Sequence, residues 1–371
     1  MRLRFSVFLS LICLAISTLA LAQTQSSSQT PTLADLARMA REKKSTPAAT
    51  SLPTPESAPV LGATASNDSA DEFETQVKRW MVRGDFDALE QAAEQARASK
   101  SRFAGGAWKL YCFYDALGAP PAGSHASDDD WYAHMAKLVR WRQGHPASVT
   151  ARIAFAEANL SYGWHVRGGG YANTVKDSAW KTLHQQAEVS GVALKEAYDM
   201  EPKDPHLYFV LLEIAQTEGW DKPMARALLE RAVAFEPGYY HYYRAYATYL
   251  QPKWYGEERE AEAFADEMYK RIGGEQGAFV YFEIATTLYC DCGGLSSRPT
   301  MSWPRIQEGY RVMERLYGAT PLKLNRLALL SVLYFDRGVA RQAFASIGDD
   351  WYPEIWHNKR ELFDSYKGWA K

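Results

Sequence analysis

The sequence predicts an all-α protein made of stacked helical hairpins. Three prolines are each followed, 17 or 18 residues later, by a tryptophan: Pro146 and Trp164, Pro202 and Trp220, Pro237 and Trp254. Glu201-Pro202 and Glu236-Pro237 each precede a histidine and a tyrosine at matching spacing, with an offset of 35 residues. A fixed period of this size is typical of repeated helix pairs. No convincing period-two alternation, the pattern of half-buried β-strands, is present.

The start of the chain has the pattern of a secretory signal peptide over residues 1–22. Arg2 and Arg4 precede an apolar run over 5–19, and Ala20-Leu21-Ala22 forms a small-x-small cleavage site. The run is shorter than a membrane span requires. We therefore expect an exported protein, periplasmic or secreted, with no membrane span after signal cleavage.

The composition divides the rest of the chain into a tether and a folded domain. Residues 23–70 are rich in Gln, Ser, Thr, Pro and Ala. Such a segment buries too little apolar surface to offset the entropy of ordering, so we expect a disordered tether. Residues 71–371 form the predicted helical repeat domain. A net charge of −2 without basic clusters argues against nucleic acid or an anionic membrane as partner.

The domain is predicted to contain N-terminal helices over 71–144, hairpin repeats over 145–347 and a C-terminal capping helix over 348–371. The N-terminal helices are expected at 71–81, 85–98, 107–117 and 127–142. The first helices of three hairpins are expected at 147–163, 205–218 and 238–250, and their second helices at 174–200, 222–235 and 257–272. Prolines suit the first turn of a helix because their missing N–H would be unbonded there. Two weaker hairpins are expected over 278–317 and 321–347.

Two resemblances support this reading. The second helices repeat a small-large pattern, in which Ser190, Leu194, Ala197 and Pro202 align with Ala225, Leu229, Ala232 and Pro237. This pattern resembles the back half of the tetratricopeptide signature and implies an α-α hairpin superhelix. The domain also resembles a bacterial family known as domain of unknown function 4034. The most distinctive matching segment is Trp164-His165-Val166-Arg167-Gly168-Gly169-Gly170-Tyr171-Ala172. That family implies an exported all-α unit and supplies no activity.

The repeated tryptophans mark the main candidate binding surface. The turns within successive hairpins share one edge of a stack, so Trp164, Trp220 and Trp254 should line one rim, with Trp303 as a further candidate. The other candidate residues beside this rim are His165, Arg167, Lys253 and Tyr255. An aromatic row with scattered charges suits peptides, glycans or a partner protein. The alternative is that each indole only packs over the end of its hairpin.

The glycine run beside this rim is a second candidate site. Gly168, Gly169 and Gly170 free the backbone to expose successive N–H groups, and Arg167 and Tyr171 flank them. Such a loop can hold a carboxylate or phosphate. The alternative is a tight turn between two long helices.

The cysteines and histidines give no metal or cofactor site. Three cysteines remain after cleavage, and a disulfide from Cys112 to Cys290 or Cys292 is possible. Cys290-Asp291-Cys292 as a weak metal or redox pair is the alternative, but no second Cys or His pair at ligand spacing accompanies it. His206 and His241 recur at one repeat position but lack the company of thiolates or carboxylates that a metal site needs. No nucleophile elbow, zinc helix or Cys-His signature is present. We expect no cofactor, no metal and no assignable catalytic residue.

The sequence therefore favours an exported helical-repeat interaction or scaffold protein that binds a peptide, protein or glycan partner in the cell envelope. The alternative is a carbohydrate-active enzyme of helical-toroid type, acting on an envelope or extracellular polysaccharide. Two carboxylates that face each other across a pocket lined by Tyr and Trp would favour the enzyme.

Overall fold

A computed structural model describes residues 69–170, 172–291 and 299–371. These residues form fifteen α-helices and no β-strand, apart from an isolated bridge between Arg102 and Trp108. The predicted all-α hairpin fold is confirmed. None of the described helices is long and apolar enough to cross a bilayer. The predictions for the signal peptide, for the tether up to residue 68, for Tyr171 and for Cys292 lie outside the described residues, and Ala70, the last residue assigned to the tether, begins the first described helix.

Four helices precede the hairpins: α1 (Ala70–Arg83), α2 (Phe86–Ser99), α3 (Lys109–Asp115) and α4 (Asp128–Gly144). Helix α4 begins with a capping box, in which the Asp130 carboxylate accepts from the Ser127 N–H at 2.9 Å. The acidic residues 128–130 therefore complement the N-terminal end of the helix, as the sequence indicates.

Five hairpins follow. Their first helices are α5 (Val149–Arg167), α7 (Pro205–Thr217), α9 (His241–Tyr249), α11 (Gly274–Thr286) and α13 (Pro321–Leu333). Their second helices are α6 (Asp177–Tyr198), α8 (Lys222–Phe235), α10 (Glu260–Ile272), α12 (Trp303–Tyr317) and α14 (Arg337–Ile347). A π-helical turn, Thr287–Asp291, extends α11. Helix α15 (Arg360–Ala370) packs on α14 and ends the chain.

The first helices form a continuous row. Helix α5 contacts α7, α7 contacts α9, and α9 contacts α11, while α13 contacts the π-helical turn. The second helices α6, α8 and α10 each pack against the first helix of their own hairpin and that of the next. Residues one repeat apart are therefore spatial neighbours, which places equivalent side chains of successive first helices in a line.

The N-terminal helices lie across this row. Helix α3 contacts both α5 and α7. Further along the row, the Gly105 N–H donates to the Gly318 carbonyl at 3.1 Å. The Arg102 guanidinium donates to the Gly238 carbonyl at 2.9 Å, at the turn before α9. We call the side of the first helices that faces α3 the inner face. A buried ion pair at 2.8 Å between Arg97 of α2 and Asp204, just before α7, joins the N-terminal helices to the row of first helices.

Candidate functional site

The inner face carries a line of buried and half-buried polar, charged and indole side chains. In chain order they are Glu157 and Trp164 on α5, His206, Glu213 and Gln216 on α7, His241 and Arg244 on α9, Glu283 on α11, and Lys323 and Arg326 on α13. On α7 these side chains are separated by seven and three residues, so they share one side of the helix. The site is thus a product of the repeat, because each hairpin adds its own residues to one line.

His206 is the buried centre of this line. Its Nδ1 lies 2.6 Å from the Tyr239 hydroxyl, and its Nε2 lies 2.8 Å from a Glu157 carboxylate oxygen. The Asp204 carboxylate accepts from the His206 N–H at 2.8 Å and from the Tyr114 hydroxyl at 2.7 Å. Both ring nitrogens are therefore occupied, and the imidazole is held in one orientation.

Three carboxyl groups from three helices converge beside His206: Asp115 of α3, Glu157 of α5 and Glu213 of α7. Burial raises the pKa of Glu213 to about 7, and the negative charges of Glu157 and Asp115 add to the shift. The Asp115 side chain is exposed at the surface. Its partial dehydration, with the charge of Glu157, raises its pKa as well. Such coupled, shifted carboxyl groups are typical of functional sites.

Glu213 also lines an open pocket of about 240 Å³, together with Trp164, Gln216 and Trp254. The two indole rings are perpendicular, with their centroids 5.7 Å apart. Among the described residues, no side chain donates a hydrogen bond to the Glu213 carboxylate. The pocket therefore combines two aromatic walls with an acidic group that has no donor of its own.

The C-terminal half of the inner face carries a network of ion pairs. Arg244 and Arg326 donate to the two oxygens of Asp291, at 2.6 and 2.7 Å. The Lys323 ammonium pairs with the Glu283 carboxylate. Burial lowers the pKa of Lys323 to about 8, against the pull of Glu283. Each of these cations is thus paired with a carboxylate. Glu213 differs, because none of the described cations is paired with it.

The structure separates the three tryptophans of the predicted rim. Trp164 and Trp254 are half-buried and share the pocket, whereas Trp220 is only 7 % exposed and belongs to the core. The Tyr249 hydroxyl donates to the Trp220 carbonyl. Trp303 stacks on Tyr334 with ring centroids 4.9 Å apart, so it packs between helices.

The other candidates around the rim lie outside the pocket. His165 is exposed, and the centroid of its ring lies 5.3 Å from that of Trp131. Lys253 is exposed. Tyr255 is 37 % exposed, and its ring lies 5.1 Å from that of Tyr249. A direct contact of these residues with a ligand in the pocket remains a prediction.

Arg167 is engaged within its own turn. It donates to the carbonyls of Gly168 and Gly170, at 2.9 and 2.7 Å, and its guanidinium lies over Trp164 and Trp180. Gly168 has a φ of +73°, which ends α5, and the glycines are exposed. These contacts supply the tight-turn arrangement that the sequence offers as the alternative to anion binding.

Cys112 and Cys290 are buried free thiols, so the structure does not join this pair. The other possible partner, Cys292, lies outside the described residues. Burial raises the pKa of Cys112, which is hydrogen-bonded to Glu74, and raises that of Cys290 to about 12. Both thiols are therefore protonated and unreactive near neutral pH.

His241 is also buried, and its ring stacks on Tyr111 with a centroid distance of 3.6 Å. Burial, followed by the charge of Arg244, lowers its pKa, so the ring is neutral. Within the described ranges, no group of three or more His, Cys, Asp and Glu residues is placed to hold a metal.

Sequence reasoning missed Asp115, Glu157 and Glu213. One signal was present: Glu213 is the single carboxylic acid of helix α7, and it follows His206 by seven residues. The two therefore lie on one side of that helix. The position of Asp115 carries no comparable signal, because α3 lies outside the repeats.

Comparisons of the chain with protein-family models, with curated proteins and with solved structures found no match. The resemblance to domain of unknown function 4034 thus stays a prediction from the sequence.

Proposed function

We propose that this chain is an exported interaction module of the cell envelope, and that the part of its inner face beside Trp164 and Trp254, which α3 does not cover, binds an extended peptide segment of a partner protein. The pocket between Trp164 and Trp254 carries the proposal. Aromatic side chains in a partly open pocket are typical anchors of protein and peptide interfaces. The pocket is built by α5, α7 and the loop after α9, so it exists only because consecutive hairpins stack.

The line of polar groups on the inner face supports an extended ligand. Glu157, Glu213 and Arg244 belong to three successive first helices and carry both signs of charge, with Glu157 paired to His206 and Arg244 to Asp291. Packed helices are about 8–10 Å apart, so a segment of about three residues in extended conformation reaches from one first helix to the next. A ligand in this direction would meet a new helix at regular intervals, as repeat arrays allow.

Selection from a displayed peptide library tests this proposal. The mature domain should enrich related sequences, and Trp254→Ala should lose them, while substitution of Glu361, an exposed residue of the last helix, should not. A thermal melt of each variant separates lost binding from lost folding. No enrichment, or enriched peptides that bind Trp254→Ala equally well, would contradict the proposal.

A carbohydrate-active enzyme is the second candidate, and one observation favours it. Glu213, with a pKa raised to about 7, lies beside the carboxyl groups of Glu157 and Asp115. A carboxyl group that stays protonated near neutral pH can act as the general acid of a glycosidase. Release of reducing ends from envelope polysaccharides that is abolished in folded Glu213→Gln would favour the enzyme. Absence of release from all tested glycans would leave the interaction module.

A further inference from the structure

The pocket has the chemistry of a cation site. Two perpendicular indoles supply negative ring faces, and Glu213 supplies a carboxylate in the same pocket. Aromatic walls with an acidic group are the usual receptor for an ammonium or guanidinium group. A volume of about 240 Å³ admits the end of a long side chain.

The charges around Glu213 lack compensation. Of the charged groups on the described elements packed around α7, Glu157, Asp115 and His206 act on this carboxyl, and the first two repel its charge. His206 is already engaged with Glu157 at 2.8 Å. The Arg167 guanidinium lies 5.6 Å from the centroid of the Trp164 ring, and it donates to carbonyls of its own turn rather than to Glu213. A cation brought by a ligand would meet the Glu213 carboxyl group in the pocket, and no cation of the described residues is paired with that group.

We infer that the pocket between Trp164 and Trp254 binds the cationic head of a lysine or arginine side chain, with Glu213 as its counter-ion. This inference rests on the proposed peptide-binding function and names the side chain that the inner face selects. Gln216 completes the pocket with an amide that can accept from the same head group.

Small probes test the inference on the mature domain. Nα-acetyl-lysine methylamide is titrated against its neutral counterpart, Nα-acetyl-norleucine methylamide, while the indole N–H signals of Trp164 and Trp254 are followed by NMR. The lysine probe should bind at least about tenfold more tightly. Glu213→Gln should remove that preference, and the matched control Glu361→Gln should keep it. Burial raises the pKa of Glu213 to about 7, so binding of the lysine probe should strengthen between pH 6 and pH 8.

Several results would overturn the inference. Equal binding of both probes, or an unchanged preference in folded Glu213→Gln, removes the counter-ion role. A response to methyl glucoside alone would assign the pocket to sugars. A response to tetramethylammonium without the lysine probe would assign it to a free quaternary amine.

Failure of the inference differs from failure of the proposed function. Selected peptides without basic residues would refute the cation site and keep the interaction module. Binding of the lysine probe without any selected peptide would support the cation site and refute peptide recognition.

Discussion

Glu213→Gln should stabilise the folded protein, and more so at high pH. The pKa of this carboxyl rises from 4.5 to about 7, mainly through burial. The Glu213 carboxyl therefore ionises at a higher pH in the folded state than in the unfolded state. The folded form therefore holds more protons between these two values, and the free energy of unfolding falls as the pH rises through that window. Glutamine has nearly the same size as glutamate, but its side chain does not titrate.

The magnitude follows from the shift. A rise of 7 − 4.5, or about 2.5 pKa units, corresponds to about 3 kcal/mol at 1.36 kcal/mol per unit. Glu213 is partly reached by solvent, so screening reduces the effect. We expect the unfolding free energy of Glu213→Gln, relative to the unsubstituted protein, to be about 1–2 kcal/mol greater at pH 8 than at pH 5.

Urea unfolding at pH 5 and pH 8 measures this difference, with Glu361→Gln as an exposed control that should show none. A stabilisation that does not change with pH would mean that glutamine only packs better. Destabilisation at pH 8 would show that the Glu213 carboxylate is bound favourably in the folded protein, and would refute the reasoning.

Three other substitutions or treatments give defined outcomes. Lys323→Met removes the nearer counter-ion of the fully buried Glu283 carboxylate and leaves only Arg244, 3.9 Å away, so it should lower the unfolding free energy by about 3 kcal/mol, measured with urea. Gly309→Ala should cost about 2 kcal/mol or more in the same assay, because the new Cβ would lie 2.1 Å from a backbone oxygen of α11. Cys112 and Cys290 should resist alkylation in the native protein and react in denaturant, as peptide mapping would detect.

Each of these has a matched control. Glu283→Leu added to Lys323→Met should recover most of the lost stability, and no recovery would contradict the charge argument. Gly368→Ala, with open space around its Cβ, should be neutral or slightly stabilising. Alkylation of either thiol in the native state would contradict its burial.

The hairpins could be predicted because their information is local and repeated. Helix α8 spans the predicted residues, since Asp221 caps its start and Pro223 suits its first turn. Helix α5 runs four residues beyond the predicted end at 163, because Gly163 fits closely against Leu183 of α6 while Gly168 ends the helix. A glycine in sequence does not reveal which of these two roles it has.

The candidate site could not be predicted in the same way. The site depends on α3, whose Asp115 lies near Glu157 and Glu213. Helix α3 precedes the repeats and does not follow their period. No spacing in the sequence encodes how an N-terminal helix crosses a row of later ones. The contrast between Trp220 and Trp254 is of the same kind, because equivalent repeat positions are buried or open according to their neighbours.

The ion pairs of Asp291 have a consequence for how the array unfolds. One carboxylate joins Arg244 of the third hairpin to Arg326 of the fifth, across the π-helical turn of the fourth. Detachment of the last hairpin alone would break the ion pair between Arg326 and Asp291 and leave Arg244 as the remaining partner of this carboxylate. Simple repeat arrays can unfold from their ends, because each repeat contacts only its neighbours. Here the last three units should instead melt together, so hydrogen exchange across α9, α11 and α13 should report one shared opening energy.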